Sequence, residues 1–251
     1  MSAQAPAWLT ARPIAHRGLH DRASGIPENT LAAADAAVAG GFGIECDVQL
    51  SADGEAMVFH DFALGRLTGA TEAVRERAAS DLEALAVAGS AERIPTLAAL
   101  LERVAGRVPL IVEIKSRFDG DLAATERTAA VVAGYAGPLA LKSFDPDVVV
   151  ALARLAPDRP RGIIAESDTE RPDYATLSPE RRRSLANLLH LDESRPDFLS
   201  WRVADLPCAA TFLCRRLGGL PVMAWTVRTP EDRERAVAHA DQMVFEGFRP
   251  D

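Results

Sequence analysis

Two short stretches of this 251-residue chain interrupt apolar, β-prone sequence with charge. In Ile44-Glu45-Cys46-Asp47-Val48, Glu45 and Asp47 are two residues apart, so the alternation of a strand aims both carboxylates at one face and Cys46 at the other. Ile111-Val112-Glu113-Ile114-Lys115 repeats the device with an anion and a cation. Burying such charges without partners costs several kcal/mol each, and a divalent cation would compensate them. Glu45, Asp47 and Glu113 offer three hard oxygen donors that suit Mg²⁺ or Ca²⁺, with water or phosphate completing the shell. Two of the five histidines, His16 and His60, end β-rich runs, in Ile14-Ala15-His16-Arg17-Gly18 and Val58-Phe59-His60-Asp61. Imidazole titrates near neutrality, so this placement suits general acid and base, worth about 10²–10⁴ in rate. Arg17 can hold phosphate through its fork of donors, and Lys115 adds a point charge. Alone, a Glu-x-Asp pair reads as an exposed strand face, a strand-end histidine as structural, and Glu113 with Lys115 as a cross-strand ion pair. Their joint occurrence at the ends of three predicted strands is what points to a site.

Such residues converge only if their strands end together at one edge of a sheet. The sequence predicts strands over residues 13–17, 43–49, 56–60, 109–115, 138–143, 161–165, 197–201, 221–227 and 241–246. Counting the second and third as one region interrupted by a turn gives eight units. Helical patterns fall between them, over 29–39, 96–105, 122–135, 146–156, 179–190, 208–217 and 230–238, several with Pro in the first turn. The alternation implies a parallel sheet covered by helices. An open doubly wound sheet would give the same alternation, and the count of eight favours a single TIM-type (β/α)8 barrel over residues 1–251, with a short insertion after the second strand region.

With 48% hydrophobic and 25% charged residues, the chain can bury a globular core without staples. Its net charge of -8 disfavours non-specific attraction to nucleic acid or an anionic membrane, so an anionic substrate must be captured locally. Cys46, Cys208 and Cys214 are too few and scattered for a disulfide framework and lack zinc-ligand spacing, in keeping with a reducing compartment. No leader pattern opens the sequence, and no apolar run approaches the roughly 18 residues that span a bilayer. The expectation is a soluble, cytoplasmic protein acting on a small molecule.

In order, the motifs resemble the glycerophosphodiester phosphodiesterase family. They run from His16-Arg17-Gly18 and Pro27-Glu28-Asn29-Thr30 through Glu45-Cys46-Asp47-Val48, Ser51-Ala52-Asp53-Gly54 and Val58-Phe59-His60-Asp61 to Leu67-Thr68-Gly69, Ile94-Pro95-Thr96-Leu97 and Val112-Glu113-Ile114-Lys115. Ser143-Phe144 and Ala224-Trp225-Thr226-Val227 are weaker matches, so the resemblance spans most of the chain and is strongest before residue 116. It implies a β/α barrel that hydrolyses glycerophosphodiesters to glycerol 3-phosphate and an alcohol, usually with Mg²⁺ or Ca²⁺. By resemblance, Glu45, Asp47 and Glu113 are the metal ligands, His16 and His60 the acid–base pair, and Arg17 and Lys115 phosphate contacts. Glu28 and Asn29 brace or ligate the site, and Trp225 and Phe144 are candidates to stack on the leaving group. His20 reads as a solvated loop residue, and His190 and His239 as surface residues.

Three features depart from the family pattern: a longer first loop at residues 20–26, Phe245-Glu246 where Thr-Asp is common, and a shorter insertion over 61–94. The resemblance also implies attack by the substrate's glycerol 2-hydroxyl, forming a cyclic phosphate that water later opens. Competing readings are a phospholipase D-like lyase that releases the cyclic phosphate, and a non-catalytic phosphodiester-binding barrel.

Overall fold

The computed structural model describes residues 5–171 and 174–250. Its strands are β1 (Ile14–Ala15), β2 (Gly43–Leu50), β3 (Ala56–Val58), β4 (Leu110–Ile114), β5 (Leu139–Ser143), β6 (Arg161–Ala165), β7 (Phe198–Arg202), β8 (Val222–Val227) and β9 (Gln242–Phe245). From β4 onward each strand lies parallel to its successor, β2 lies beside β4, and β1 pairs with both β2 and β9. That last pairing closes a ring of eight parallel strands, the expected barrel. β3 stands outside the ring. The second and third apolar runs form an antiparallel hairpin, Val48 opposite Val58, because the Ser51–Gly54 turn is too short for the crossover that a parallel neighbour needs.

The helices are α1 (Leu31–Ala39), α2 (Gly65–Thr68), α3 (Ala79–Ala84), α4 (Leu97–Val104), α5 (Ala123–Val132), α6 (Pro146–Leu155), α7 (Pro179–Ala186), α8 (Leu191–Ser194), α9 (Ala209–Arg216) and α10 (Pro230–His239). Side chains of Thr30, Thr96, Asp145, Ser178 and Thr229 accept backbone N–H bonds at helix starts, and Pro opens α6, α7 and α10. The helix expected over 179–190 ends at Ala186, where Leu188 takes a left-handed φ of 55°, and helical structure resumes at Leu191. This break turns His190 inward. Contrary to the surface reading, His190 is 3% exposed, its ring 3.0 Å from the Ser194 hydroxyl, and burial brings its pKa down to about 4.

Strand period two divides the side chains between two cores. Ile44, Cys46 and Val48 of β2, Leu110, Val112 and Ile114 of β4, and Leu139 and Leu141 of β5 pack in the layer shared with the helices. The alternate positions point into the barrel, where Ile14, Ile111, Ala140, Phe198, Met223 and Val244 pack with Leu9 as an apolar floor. Register then sets the next layer: Glu45 is level with Ile111, whereas Asp47, Glu113 and Lys142 share one level toward the carboxyl ends. The insertion, with α2 and α3, packs a small core of its own around Phe59, Leu64, Leu67 and Leu82.

Phe198 reaches its place in the floor because β6 has Gly162 beside it. A Cβ at Gly162 would lie 2.3 Å from the Phe198 ring, and that ring is fully buried. Gly162→Ala is therefore expected to destabilise by roughly 1–3 kcal/mol through overpacking, read as a lower Tm, with partial recovery in Gly162→Ala/Phe198→Leu. An unchanged Tm in the single variant would count against this close contact.

Candidate active site

β1 ends at Ala15, and the chain turns through Arg17 and Gly18, both at positive φ (57° and 79°). Gly18 has no substitute here, since a Cβ would sit 2.8 Å from Ala33 Cβ. The turn aims the Arg17 backbone N–H at Glu45 Oε2 (3.1 Å), while its guanidinium donates to Glu28 Oε1 (2.6 Å) and approaches Asp47 Oδ2 (3.5 Å). Asn29, also at positive φ (56°), donates its backbone N–H to the Arg17 carbonyl and its side-chain amide to Asp47 Oδ2 (2.9 Å). Glu28 thus braces Arg17, and Asn29 braces Asp47.

Glu45, Asp47 and Glu113 are buried, and one oxygen from each lies within 4.8 Å of the others. Three cations face them. Lys115 donates to Glu113 and lies 2.8 Å from Asp47 Oδ1; Lys142, beneath, lies 3.1 Å from Glu45 Oε1 and 4.0 Å from Glu113 Oε2; Arg17 completes the set. Burial alone would raise the Asp47 pKa, yet the charges of Lys115, His60 and Arg17 hold it well below the usual carboxylate range. Lys115 is raised above the ordinary lysine value because Asp47 and Glu113 outweigh the lowering effect of burial. Glu45 Oε1 and Asp47 Oδ1 have the ammonium groups of Lys142 and Lys115 opposite them at 3.1 and 2.8 Å, and each carboxylate oxygen keeps a lone pair that a cation could take. A convergent set of hard oxygens with unused capacity fits a divalent cation.

The two histidines are held alike. His16 Nδ1 lies 2.7 Å from Glu246 Oε2, with Nε2 3.9 Å from Glu45; His60 Nδ1 lies 2.7 Å from Asp61 Oδ1. Burial would raise Glu246, but the hydrogen bond to His16 and the charges of His16 and Arg228 bring it down to about 2, so it stays an acceptor and puts the proton on Nδ1. Nε2 is then the nitrogen left for proton transfer. Gln49 on β2 fixes the segment carrying His60 by donating to the carbonyls of Phe59 (2.9 Å) and Asp61 (2.7 Å). Arg66 of α2 ties the parts together, donating to Asp61 (2.5 Å) and to both oxygens of Glu28 (2.7 and 2.9 Å). His20 is not solvated: it is half-buried, with Nε2 3.9 Å from Glu246 Oε1.

Of the residues singled out from the sequence, His16, Arg17, Glu45, Asp47, His60, Glu113, Lys115, Trp225 and Phe144 line one cavity of about 860 Å³ at the carboxyl ends of the strands, and Glu28 and Asn29 brace it from outside that lining. Trp225 is pinned by its indole N–H, which donates to the Ser200 carbonyl (3.0 Å), and meets Phe144 edge-on with centroids 5.5 Å apart. Sequence reasoning passed over Lys142, Asp61, Glu246, Gln49 and Arg66. Lys142 carried the signal used elsewhere, a charge interrupting the apolar run Leu139-Ala140-Leu141, and Glu246 stood out only as a departure from Thr-Asp. Arg66 and Gln49 carried none, because their partners are set by the fold of the β2–β3 hairpin and the insertion.

The barrel thus brings a buried acid cluster, two carboxylate-held histidines and an arginine together at its mouth, where barrel enzymes carry their active sites. The chain belongs to the glycerophosphoryl diester phosphodiesterase family, whose model matches residues 16–245. A putative glycerophosphodiester phosphodiesterase of Bacillus subtilis is 30% identical over 95% of this chain and 93% of its own length. A glycerophosphodiester phosphodiesterase of Caldanaerobacter subterraneus is 28% identical over 89% and 88%. The crystal structure of a glycerophosphodiester phosphodiesterase from Thermotoga maritima superposes with a TM-score of 0.71 at 27% identity, covering 92% of each chain. Among the described residues no helix is long and apolar enough to cross a membrane.

Glu28 links Arg17 to Arg66, and its titration reports that link. Burial would raise its pKa from 4.5, but the hydrogen bond from Arg66 and the charge of Arg17 bring it down to about 2. A carboxyl depressed in the folded state contributes stability above its unfolded pKa, here up to roughly 3 kcal/mol, which is lost as pH falls from about 4.5 through about 2. Glu28→Gln should lower Tm at pH 7, and the gap from the parent should close as pH falls through that window. A gap independent of pH would refute the assignment.

Proposed function

We propose that this chain hydrolyses glycerophosphodiesters to glycerol 3-phosphate and an alcohol, with Glu45, Asp47 and Glu113 holding one Mg²⁺ or Ca²⁺. The observation that carries the reading is the pair of imidazoles, each held through Nδ1 by a carboxylate, beside a buried acid cluster with oxygen valence to spare. The cation, when bound, supplies Lewis-acid charge to the phosphoryl oxygens. Arg17 and Lys115 add positive charge at the same oxygens, where negative charge develops as the phosphorus centre becomes crowded. One histidine removes the proton of the glycerol 2-hydroxyl as it attacks phosphorus, and the other protonates the departing alkoxide. The roles exchange when water opens the cyclic phosphate. Glu246 and Asp61 fix the ring orientations and stabilise each imidazolium as it forms. Trp225 and Phe144 provide an apolar wall beside the reacting group. Three free cysteines support a reducing, cytoplasmic setting.

The reading is tested by release of glycerol 3-phosphate from a panel of glycerophosphodiesters. Release should stop with chelator and return with Mg²⁺ or Ca²⁺. His16→Ala and His60→Ala should each lower kcat by about 10²–10⁴-fold without loss of fold by circular dichroism. Near-normal turnover in both variants would reject the pair. Glu246→Gln should lower kcat by about 10–100-fold, as expected of a group that orients a catalytic ring.

A further inference from the structure

The outer half of the cavity is walled by the ends of β6 and β7 and by the segment that follows β6, and the reaction above uses none of Glu166, Arg171 and Arg202. Glu166, one residue beyond β6, is 3% exposed. Its carboxylate accepts from Arg171 at 2.7 Å and from the Tyr174 hydroxyl at 3.1 Å, and lies 3.5 Å from the guanidinium of Arg202 at the end of β7. One buried anion therefore holds two guanidiniums and a phenol against the same space. Arg117, stacked over the Phe62 ring at 4.0 Å, also lines the cavity, as does Arg228, whose guanidinium donates to Glu246 Oε2 at 2.9 Å. Among the described residues, Arg117, Arg171 and Arg202 face Glu166 and Asp232 in the outer lining, with Asp205 4.0 Å from Arg202 and outside it, while Arg228 is paired with Glu246.

This positive wall stands in a chain of net charge -8 and beyond the groups that neutralise the reacting phosphate. Glycerol is uncharged, so the wall is matched to the second alcohol of the diester. A cationic alcohol such as choline would meet Arg171 and Arg202 with Glu166 already paired to them, a like-charge contact that disfavours it. Phe118 and Tyr174, with ring centroids 6.0 Å apart, supply an apolar face for the body of that alcohol. We infer that this site selects glycerophosphodiesters whose alcohol carries a second anionic group, a phosphomonoester or a carboxylate, and that Arg202 and Arg171 bind that group. The inference rests on the phosphodiesterase reading above.

Two substrate pairs test it, each differing only in the anionic group. Glycerophosphoinositol 4-phosphate is compared with glycerophosphoinositol, and the glycolate diester of glycerol 3-phosphate with the ethyl diester; glycerophosphocholine serves as the cationic control. In at least one pair the charged member should have kcat/KM about tenfold higher or more, and the pair that shows it identifies the group. Arg202→Gln should reduce that preference to about twofold or less, and Arg202→Lys should restore part of it; Glu166 keeps Arg171 and Tyr174 in both variants. Neutral members cleaved as well as their charged partners, or a preference that survives Arg202→Gln, would overturn the inference while leaving the phosphodiesterase reading intact. Failure of the folded, metal-loaded protein to cleave any diester would instead overturn that reading, and the inference with it.

Discussion

Three carboxylates within 4.8 Å of one another and shielded from water set the central constraint on this barrel. At about 5 Å and an effective dielectric near 20, each pair of like charges repels by about 3 kcal/mol. Lys115, Lys142 and Arg17 offset that repulsion, and each is placed by a different strand or turn. The balance leaves oxygen valence that a divalent cation can use. The cluster thus combines mutual repulsion among its carboxylates with an arrangement of oxygens compatible with a divalent cation.

The neighbouring groups follow from holding that cluster still. Asn29 and the Arg17 backbone bond two of the carboxylates, and both residues adopt left-handed backbone conformations to do so. Arg17 is fixed by Glu28, Glu28 by Arg66, Arg66 by Asp61, and Asp61 by His60. The insertion after β3 therefore reaches the candidate site through Asp61 and Arg66, with its own apolar core keeping α2 in place. A separate carboxylate, Glu246 at the end of β9, orients His16. Asp61 holds His60 from the next position in the chain, whereas Glu246 reaches His16 only because β1 pairs with β9 to close the ring.

Layering separates stability from function. Ile111 and Ala140 in the floor and Glu113 and Lys142 above it occupy the same face of their strands, two residues apart. The apolar layer packs at the amino ends, and the charged layer opens at the carboxyl ends, where the loops can vary without disturbing the floor. The arginine wall anchored on Glu166 belongs to that variable rim.

Local pattern was enough for the strands, the longer helices and the inward face of β2 and β4, because period two and helix punctuation are local properties, but it did not mark the short helices α2, α3 and α8. It marked Glu45, Asp47, Glu113, His16 and His60 for the same reason: each is a polar residue set against an apolar run. It did not separate β3 from β2, a matter of turn length and pairing partner, nor show that His190 turns inward where α7 breaks. Only the tertiary structure decided which partners those residues meet. Arg66 reaches Glu28 across 38 positions, Lys142 reaches Glu45 across 97, and Glu246 reaches His16 across 230. A local pattern can announce that a charge is buried, but the identity of its counter-charge depends on how the barrel closes.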